Sequence, residues 1–285
     1  MATKVKSPLK YPGGQGYLTE WLLSLFPSRS DYLTYLEPFA GGLNLLLAHD
    51  PEGKSEVASD ANWRLANFWR VLADEGKFER FVRRVEATPF SAAGWSASVV
   101  HGNIDAAFAE VDTSPGVHQS VNAAVAYFIQ IRQSMMGLGK SFAPLSTARV
   151  RRGMNEQASA WWSAVDGLAD VHARLGRVVI LNEDGVELIA KYDKPGVFVM
   201  ADPPFDTDAR TPGLYEEEFG AEQQAALVQT LLGLRHAKVM LCGYPTPFYA
   251  PLEAAGWGAT TKEVPNSMAK GKKKASRPYT VWRNY

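Results

Sequence analysis

The stretch VFVMADPPF, residues 197–205, joins an apolar run to an acid, two prolines and an aromatic residue. An exocyclic amine on a nucleobase is a weak nucleophile, because its lone pair is delocalised into the ring. A carboxylate and a rigidly held backbone carbonyl that both accept the amine hydrogens would free that lone pair, and proline restricts the backbone at such a carbonyl. Asp202, Pro203, Pro204 and Phe205 are therefore candidates for methylating the amino group of a flipped base, with the aromatic ring stacked on that base. The alternative is that the two prolines only end a strand.

A second candidate site lies in EPFAGGLN, where an apolar run meets two glycines and a helical pattern begins. Backbone amides and the amino end of a helix can receive an anionic or polar cofactor at such a turn. Asp60 follows Gly42 by 18 positions, at the tip of the next predicted strand, where a carboxylate can accept both hydroxyls of a ribose. The pattern indicates a nucleoside cofactor and does not separate a dehydrogenase from a methyltransferase. The alternative is that Gly41 and Gly42 only permit a tight turn.

The composition limits the class of protein. A chain of 285 residues, 46% of them hydrophobic, can form one large domain or one domain with an insertion. No apolar run reaches membrane-spanning length, Met1–Leu9 lacks a signal-peptide core, and there is one cysteine, which together predict a soluble, cytoplasmic protein. The single cysteine, Cys242, excludes an intramolecular disulfide and a thiolate zinc cluster, and no metal site is expected. Cys242 falls in a predicted buried strand, which argues against a cytosine-C5 mechanism with a thiolate nucleophile.

The net charge is zero, so binding of nucleic acid would depend on local basic surface. Two basic stretches exist, RVRRG at 149–153 and AKGKKKASR at 269–277. The alternative for each stretch is a solvated loop.

Strand and helix patterns alternate at both ends of the chain but not in its middle. From about Trp63 to Arg174 helical periodicity dominates, and strand patterns return as RVVILNED, GVFVMADPP and AKVMLCGY. This arrangement predicts an α/β domain interrupted by an insertion. We expect a discontinuous catalytic domain of residues 1–70 and 175–285 and a helical insert of residues 71–174.

These motifs together resemble the adenine-specific DNA N6-methyltransferases of the Dam-like (D12) class, which use S-adenosylmethionine. LKYPGGQ at 9–15 is similar to the N-terminal cofactor motif of that family, and EPFAGG to its glycine motif. SDAN is similar to its ribose acid, NEDGVELI to its acid-plus-apolar motif, and ADPPF to its catalytic tetrad. The resemblance spans most of the chain. It implies a Rossmann-like methyltransferase domain with an inserted helical target-recognition domain.

The resemblance also implies a role for each matched position. The residues expected to contact the cofactor are Tyr11, Gln15, Pro38, Phe39, Gly41, Gly42, Asp60, Asp184 and Asp202. The residues expected to contact DNA are Lys10, Arg132, Lys140, Arg149, Arg151, Arg152, Lys272, Lys273 and Lys274. Asp184 has an equal alternative as the N-cap of the helix GVELIAKY. Met135 and Met136 follow Arg132 where the family has a wedge, and their alternative is to fill gaps in the core.

Several positions depart from the family's usual pattern. Gln15 stands where lysine is usual, so a neutral hydrogen bond would replace a charged contact. Leu43 and Asn44 replace small residues after the glycine pair, and Phe205 stands where tyrosine is usual. None of these changes removes a group that the reaction requires.

The expected activity is methyl transfer to the N6 amino group of adenine in double-stranded DNA. The expected setting is the cytoplasm of a bacterial or phage-infected cell, in a restriction system or in phage self-protection, with the protein a monomer or weak dimer. The alternatives are methylation of cytosine N4 or of an RNA base, and a catalytically silent protein that binds DNA or S-adenosylmethionine.

Overall fold

The computed structural model describes residues 5–11, 16–111, 120–205, 219–265 and 276–285. The chain divides into two compact units. Unit 1 comprises Met1–Leu23, Gly41–Asp50 and Asn62–Asn182, and unit 2 comprises Ser24–Ala40, Pro51–Ala61 and Glu183–Tyr285. The expected division into a catalytic domain and a target-recognition insert stays a prediction.

The described elements are numbered along the chain. The strands are β1 (Thr34–Glu37), β2 (Ser55–Ser59), β3 (Val150–Arg151), β4 (Met154–Asn155), β5 (Val178–Leu181), β6 (Val197–Ala201), β7 (Lys238–Gly243), β8 (Gly258–Pro265) and β9 (Ser276–Arg283). The helices are α1 (Thr19–Leu23), α2 (Asn44–Ala48), α3 (Trp63–Ala73), α4 (Glu75–Glu86), α5 (Ala92–Val111), α6 (Val121–Arg132), α7 (Glu156–Asp166), α8 (Leu168–Leu175), α9 (Gly185–Lys191), α10 (Ala221–Gly233) and α11 (Ala250–Ala254). None of the helices in the described ranges is both long and apolar enough to cross a membrane.

Unit 2 is built on a sheet in the order β2-β1-β6-β7-β9-β8. The first four strands are parallel, and β9 runs antiparallel to both β7 and β8. Leu36 of β1 lies opposite Val57 of β2 and Val199 of β6. Every residue of β6 is buried, as a continuous apolar run predicts for a central parallel strand. The predicted α/β class is confirmed, and the sheet of unit 2 is mostly parallel.

Aromatic rings cover one part of the unit 2 sheet. The ring of Phe198 in β6 stacks on Tyr35 of β1 with centroids 5.6 Å apart. Phe26 and Tyr32 contact the same ring at 4.7 and 5.3 Å. Because these rings are largely or wholly shielded from water, they make β1 and β6 a rigid base for the loops that follow them.

Unit 1 is mainly helical, as the periodicity predicts. Helix α6 is buried on almost every side, and the Ser120 side chain caps it by accepting from the Ala123 amide at 3.1 Å. Phe128 of α6 packs against Phe68 at 5.8 Å and against Trp161 at 5.2 Å. The core of this unit is therefore formed by aromatic residues on α3, α6 and α7.

Two strand features were absent from the sequence interpretation. The antiparallel pair β3–β4 is a hairpin with two residues in each strand, too short for alternation to be visible, and its turn at Arg152 and Gly153 has positive φ at both positions. Strand β8 is mostly exposed and polar, with only Val264 buried. It lacks the apolar pattern on which strand prediction depends.

Candidate active site

The carboxyl ends of the four parallel strands in unit 2 meet at one edge of the sheet, where ligands bind in open α/β sheets. Pro38, Asp60, Asp202 and Tyr244 each come directly after one of these strands. Phe39 follows Pro38 in the chain, and Pro203, Pro204 and Phe205 follow Asp202. The fold of unit 2 thus brings predicted cofactor and catalytic residues to a common edge.

Asp202 is half-buried and lies close to two buried side chains, Cys242 of β7 and Tyr279 of β9. The pKa of the Cys242 thiol is raised well above its usual value. The main cause is burial, and the second is the negative charge of Asp202. Burial, followed by the charges of Cys242 and Asp202, raises the pKa of the Tyr279 phenol. Both groups therefore stay neutral at ordinary pH. The catalytic role of the Asp202 carboxyl beside them stays a prediction.

Aromatic rings enclose the end of the DPPF stretch. Phe205 is 7% exposed, and its ring contacts the edges of Tyr244 at 4.5 Å and Tyr279 at 6.1 Å. The guanidinium of Arg277 lies 3.8 Å from the centroid of the Tyr244 ring. Tyr244 is only half-buried, so it offers more ring surface than Phe205 does. Sequence reasoning missed Tyr244, although its place directly after an apolar strand was a usable signal.

The loops after β1 and β2 are tied together by backbone and side-chain hydrogen bonds. The Ala40 amide donates to the Ser59 carbonyl at 2.8 Å. The Ser59 hydroxyl donates to the Glu183 carbonyl and accepts from the Glu183 amide, both at 3.0 Å. The segment NEDG is therefore held at the carboxyl end of β2, beside Asp60.

Asp184 is the N-cap of α9, which is one of the two roles that the sequence allows for it. Its Oδ1 accepts from the amides of Val186 and Glu187 at 2.9 and 3.0 Å. The carboxylate is exposed, and one of its oxygens is used for the cap. The predicted contact of Asp184 with a cofactor stays a prediction.

Gly185, the first residue of α9, is packed against the loop after β1. A Cβ atom at this position would lie 2.5 Å from Cε1 of Phe39 and 2.8 Å from the carbonyl oxygen of Pro38. Phe39 also contacts the edge of Phe219 at 5.6 Å. A side chain at residue 185 would therefore move Phe39, which is a predicted cofactor contact.

Replacing Gly185 by alanine is expected to lower the free energy of unfolding by about 1–3 kcal/mol, because the added methyl overpacks a buried site. The same change should weaken S-adenosylmethionine binding if Phe39 lines that site. Chemical denaturation and calorimetry measure the two effects. Gly233→Ala is the matched control, since a Cβ there meets nothing within 4 Å. Equal results for the two variants would contradict the packing role.

The predicted glycine turn lies in unit 1 and is held by close packing. The Trp69 indole donates to the Gly41 carbonyl at 3.0 Å, and Gly41 has a positive φ of 46°. A Cβ on Gly42 would lie 3.2 Å from Cβ of Tyr11 and 3.0 Å from Nδ2 of Asn44. Tyr11, Gly41 and Gly42 are thus brought together within this unit, whereas the predicted contact Gln15 lies outside the described residues.

Lys10 lies in a basic, partly buried part of unit 1. A Cβ on Gly137, which has φ of 77°, would be 1.8 Å from the Lys10 carbonyl oxygen, so only glycine fits this contact. Burial first, and then the charge of Arg132, lowers the pKa of Lys10 to about 8, although Glu156 acts in the opposite direction. Arg132 itself donates to the Ala160 carbonyl at 2.5 Å. The structure therefore brings the predicted DNA contacts Lys10 and Arg132 together.

Lysine at position 10 should make DNA binding depend on pH. With its pKa near 8, the ammonium is charged below that pH and loses its proton as the pH rises, and a bound phosphate would shift this midpoint upwards. The affinity difference between the parent and Lys10→Met is therefore expected to be largest near pH 6 to 7 and to shrink above about pH 9. Fluorescence anisotropy at constant ionic strength measures it.

Arg149→Met is the control for this experiment, because arginine keeps its charge throughout that range. Its affinity loss should be the same at every pH. A Lys10→Met deficit that does not change with pH would contradict the role given to the Lys10 charge.

The three predicted arginines lie on or beside the β3–β4 hairpin of unit 1. Arg149 and Arg151, with 75% and 70% of their side chains exposed, lie 3.5 and 3.7 Å from Glu156. Arg152, at the turn, contacts Asp166 at 3.0 Å. Exposed ion pairs are worth about 0–1 kcal/mol, so these arginines can exchange their partners for phosphates at little cost.

The segment after Arg132 also presents apolar surface. Met135 and Met136 are 45% and 53% exposed, so filling gaps in the core, their alternative role, is wrong. Lys140 is exposed nearby in sequence. The predicted DNA contacts Lys272, Lys273 and Lys274 lie outside the described residues.

Replacing both Arg149 and Arg151 by alanine is expected to flatten the salt dependence of DNA binding. The slope of log K against log [salt] should fall by about 0.9 for each phosphate that the variant no longer neutralises, whatever the DNA sequence. Arg235→Ala serves as the control, because this exposed residue precedes β7 at the opposite end of the strand from the site. An unchanged slope in the double variant would assign the hairpin to solvated surface.

Comparison with known proteins yields one family. The model of the D12 class N6 adenine-specific DNA methyltransferase family matches residues 11–253, which include the glycine turn, Asp60, the hairpin and the DPPF stretch. No curated protein matches the chain.

Proposed function

We propose, since this chain belongs to the D12 class N6 adenine-specific DNA methyltransferase family, that it transfers a methyl group from S-adenosylmethionine to adenine N6 in double-stranded DNA. The family supports DNA adenine N6-methyltransferase activity in general terms, with DNA as the substrate. One observation carries the specific proposal: Asp202, two prolines and an aromatic residue come directly after the buried parallel strand β6, at the sheet edge where α/β enzymes bind ligands.

The residues of unit 2 are chemically suited to the nucleoside part of the cofactor. Asp60 at the end of β2 has a carboxylate that can accept both ribose hydroxyls. The ring of Phe39, half-exposed and supported by Gly185, offers an apolar surface to a purine. Tyr11, Gly41 and Gly42 are proposed contacts for the methionine end. When bound, S-adenosylmethionine supplies an electrophilic methyl group on a sulfonium.

Asp202 is proposed to accept one hydrogen of the target amine, and a backbone carbonyl of the DPPF turn to accept the other. These two acceptors would concentrate the nitrogen lone pair in the direction of attack. The base must leave the double helix to reach them, and its faces would contact aromatic rings. We assign this contact to Phe205 together with Tyr244, because Phe205 alone exposes little of its ring.

DNA is proposed to contact Lys10, Arg132 and Lys140 and the hairpin arginines Arg149, Arg151 and Arg152. The exposed methionines Met135 and Met136 would provide apolar contact in the same segment. The proposal that this helical region recognises the target sequence rests on the basic charge and exposure of these side chains.

Transfer of a labelled methyl group from S-adenosylmethionine to unmethylated duplex DNA tests the proposal. Nucleoside analysis should then identify N6-methyladenine, with label appearing far more slowly in the Asp202→Asn variant. Label in N4-methylcytosine, or transfer only to RNA, would change the substrate assignment. Cofactor binding without transfer to any nucleic acid would favour a catalytically silent protein.

A further inference from the structure

The buried side chain of Gln224 links helix α10 to the DPPF turn. Its Nε2 donates to the Pro204 carbonyl oxygen at 3.0 Å, and its Oε1 accepts from the Tyr249 hydroxyl at 2.8 Å. Gln224 is 0% exposed and Tyr249 is 2% exposed. Because the Pro204 carbonyl can only accept, the amide nitrogen must face it, and the amide oxygen is left to accept from the Tyr249 hydroxyl.

These hydrogen bonds act on the remaining freedom of the turn. The proline ring restricts φ of Pro204, which leaves rotation about ψ as the motion that turns its carbonyl. That rotation would also move the backbone that carries Phe205. A buried donor on the Pro204 carbonyl therefore holds the peptide plane between Pro204 and Phe205.

The position of Tyr249 is itself determined by packing. Its ring lies 4.7 Å from that of Trp282, whose indole donates to Glu253 at 2.8 Å. A Cβ on Gly243 would lie 3.0 Å from the Tyr249 ring, so the end of β7 packs closely against this ring. The hydroxyl that orients Gln224 is therefore held by the folded core of unit 2.

We propose that Gln224 is a positioning residue for methyl transfer, which holds the Asp202–Phe205 turn in the arrangement that accepts the target amine. Tyr249 orients Gln224 for this task. The inference rests on the proposed function, since it assigns a purpose to the geometry of the same site.

Gln224→Met tests this role, because methionine has a similar volume and removes both hydrogen bonds. Its single-turnover rate of methyl transfer is expected to fall by about tenfold to a hundredfold, because the Pro204 carbonyl loses its donor and is free to reorient. Its affinity for S-adenosylmethionine should stay at the parental value. Tyr249→Phe should lose less, and adding it to Gln224→Met should cause no further loss of rate, because the two side chains act as one unit.

Two further variants separate positioning from simple loss of stability. Val228→Ala shortens a side chain that is 3% exposed and lies one turn further along α10. This variant should be less stable than the parent but keep the parental rate. Gln224→Glu places a carboxylate against the Pro204 carbonyl, and this variant should recover rate relative to the parent as the pH falls, because a protonated carboxyl can donate again. A parental rate in Gln224→Met, or an equal loss in Val228→Ala, would overturn the proposal.

A measurement that needs no activity distinguishes failure of this inference from failure of the proposed function. In protein labelled with 4-fluorophenylalanine, the fluorine resonance of Phe205 can be assigned with the Phe205→Leu variant. That resonance should move in Gln224→Met and stay in place in Val228→Ala. An unmoved resonance overturns the positioning role, whereas absence of methyl transfer by the parent with a moved resonance overturns the proposed function and leaves Gln224 holding the turn without a catalytic purpose.

Discussion

Replacing Asp202 by asparagine is expected to lower the single-turnover rate of methyl transfer to DNA by about a hundredfold to a thousandfold, the range seen when one preorganised polar group is removed from a reacting centre. Asparagine has nearly the same shape as aspartate but no charge. Its NH2 group is a donor, so it cannot accept a hydrogen of the target amine if it faces that amine. The substitution should lower the rate of methyl transfer, because the carboxylate acts at the step in which the lone pair of the target nitrogen becomes available.

The affinity of Asp202→Asn for S-adenosylmethionine is expected to stay close to that of the parent, as measured by calorimetry, unless the carboxylate also contacts the cofactor. Cys242→Ala is the control from the same part of unit 2. Its thiol is fully buried and its pKa is raised, so it supplies no thiolate and its loss should leave the rate near the parental value. A fully active Asp202→Asn enzyme would mean that the DPPF stretch only ends a strand.

Replacing Asp60 by alanine is expected to raise the dissociation constant for S-adenosylmethionine by about a hundredfold or more. Two hydrogen bonds to a charged carboxylate would be removed, each worth about 1.5–3 kcal/mol before compensation. The rate of the bound complex should change much less, because a ribose contact is made equally in the ground state and in the transition state.

Calorimetry on Asp60→Ala, together with single-turnover rates at saturating cofactor, separates these two effects. Asp60→Asn should lie between the parent and Asp60→Ala, because it keeps one acceptor and loses the charge. Glu222→Ala removes an exposed carboxylate from the start of α10 and controls for the change in net charge. Parental affinity in Asp60→Ala would remove Asp60 from the cofactor site.

Much of the fold was predictable because burial leaves a pattern in the sequence. The continuous apolar run of Val197–Ala201 predicts a strand, and every residue of the strand that forms there is buried. Asp202 could be assigned to a strand end because it follows directly on this run, and Asp60 because it follows the short strand pattern SEVAS. Exposed elements left no comparable pattern. The short hairpin and strand β8 therefore escaped prediction.

By itself the sequence determined the family, the order of the strands and helices around the motifs, and the residues that follow each buried strand. Only the tertiary structure decided which distant residues meet them. Gln224 contacts Pro204 across 20 positions, and Arg277 lies against Tyr244 across the end of the sheet. The physical reason is that periodicity records only whether a side chain is buried. Its partner depends on how strands and helices pack, and the same glutamine or arginine would suit many other places in the chain.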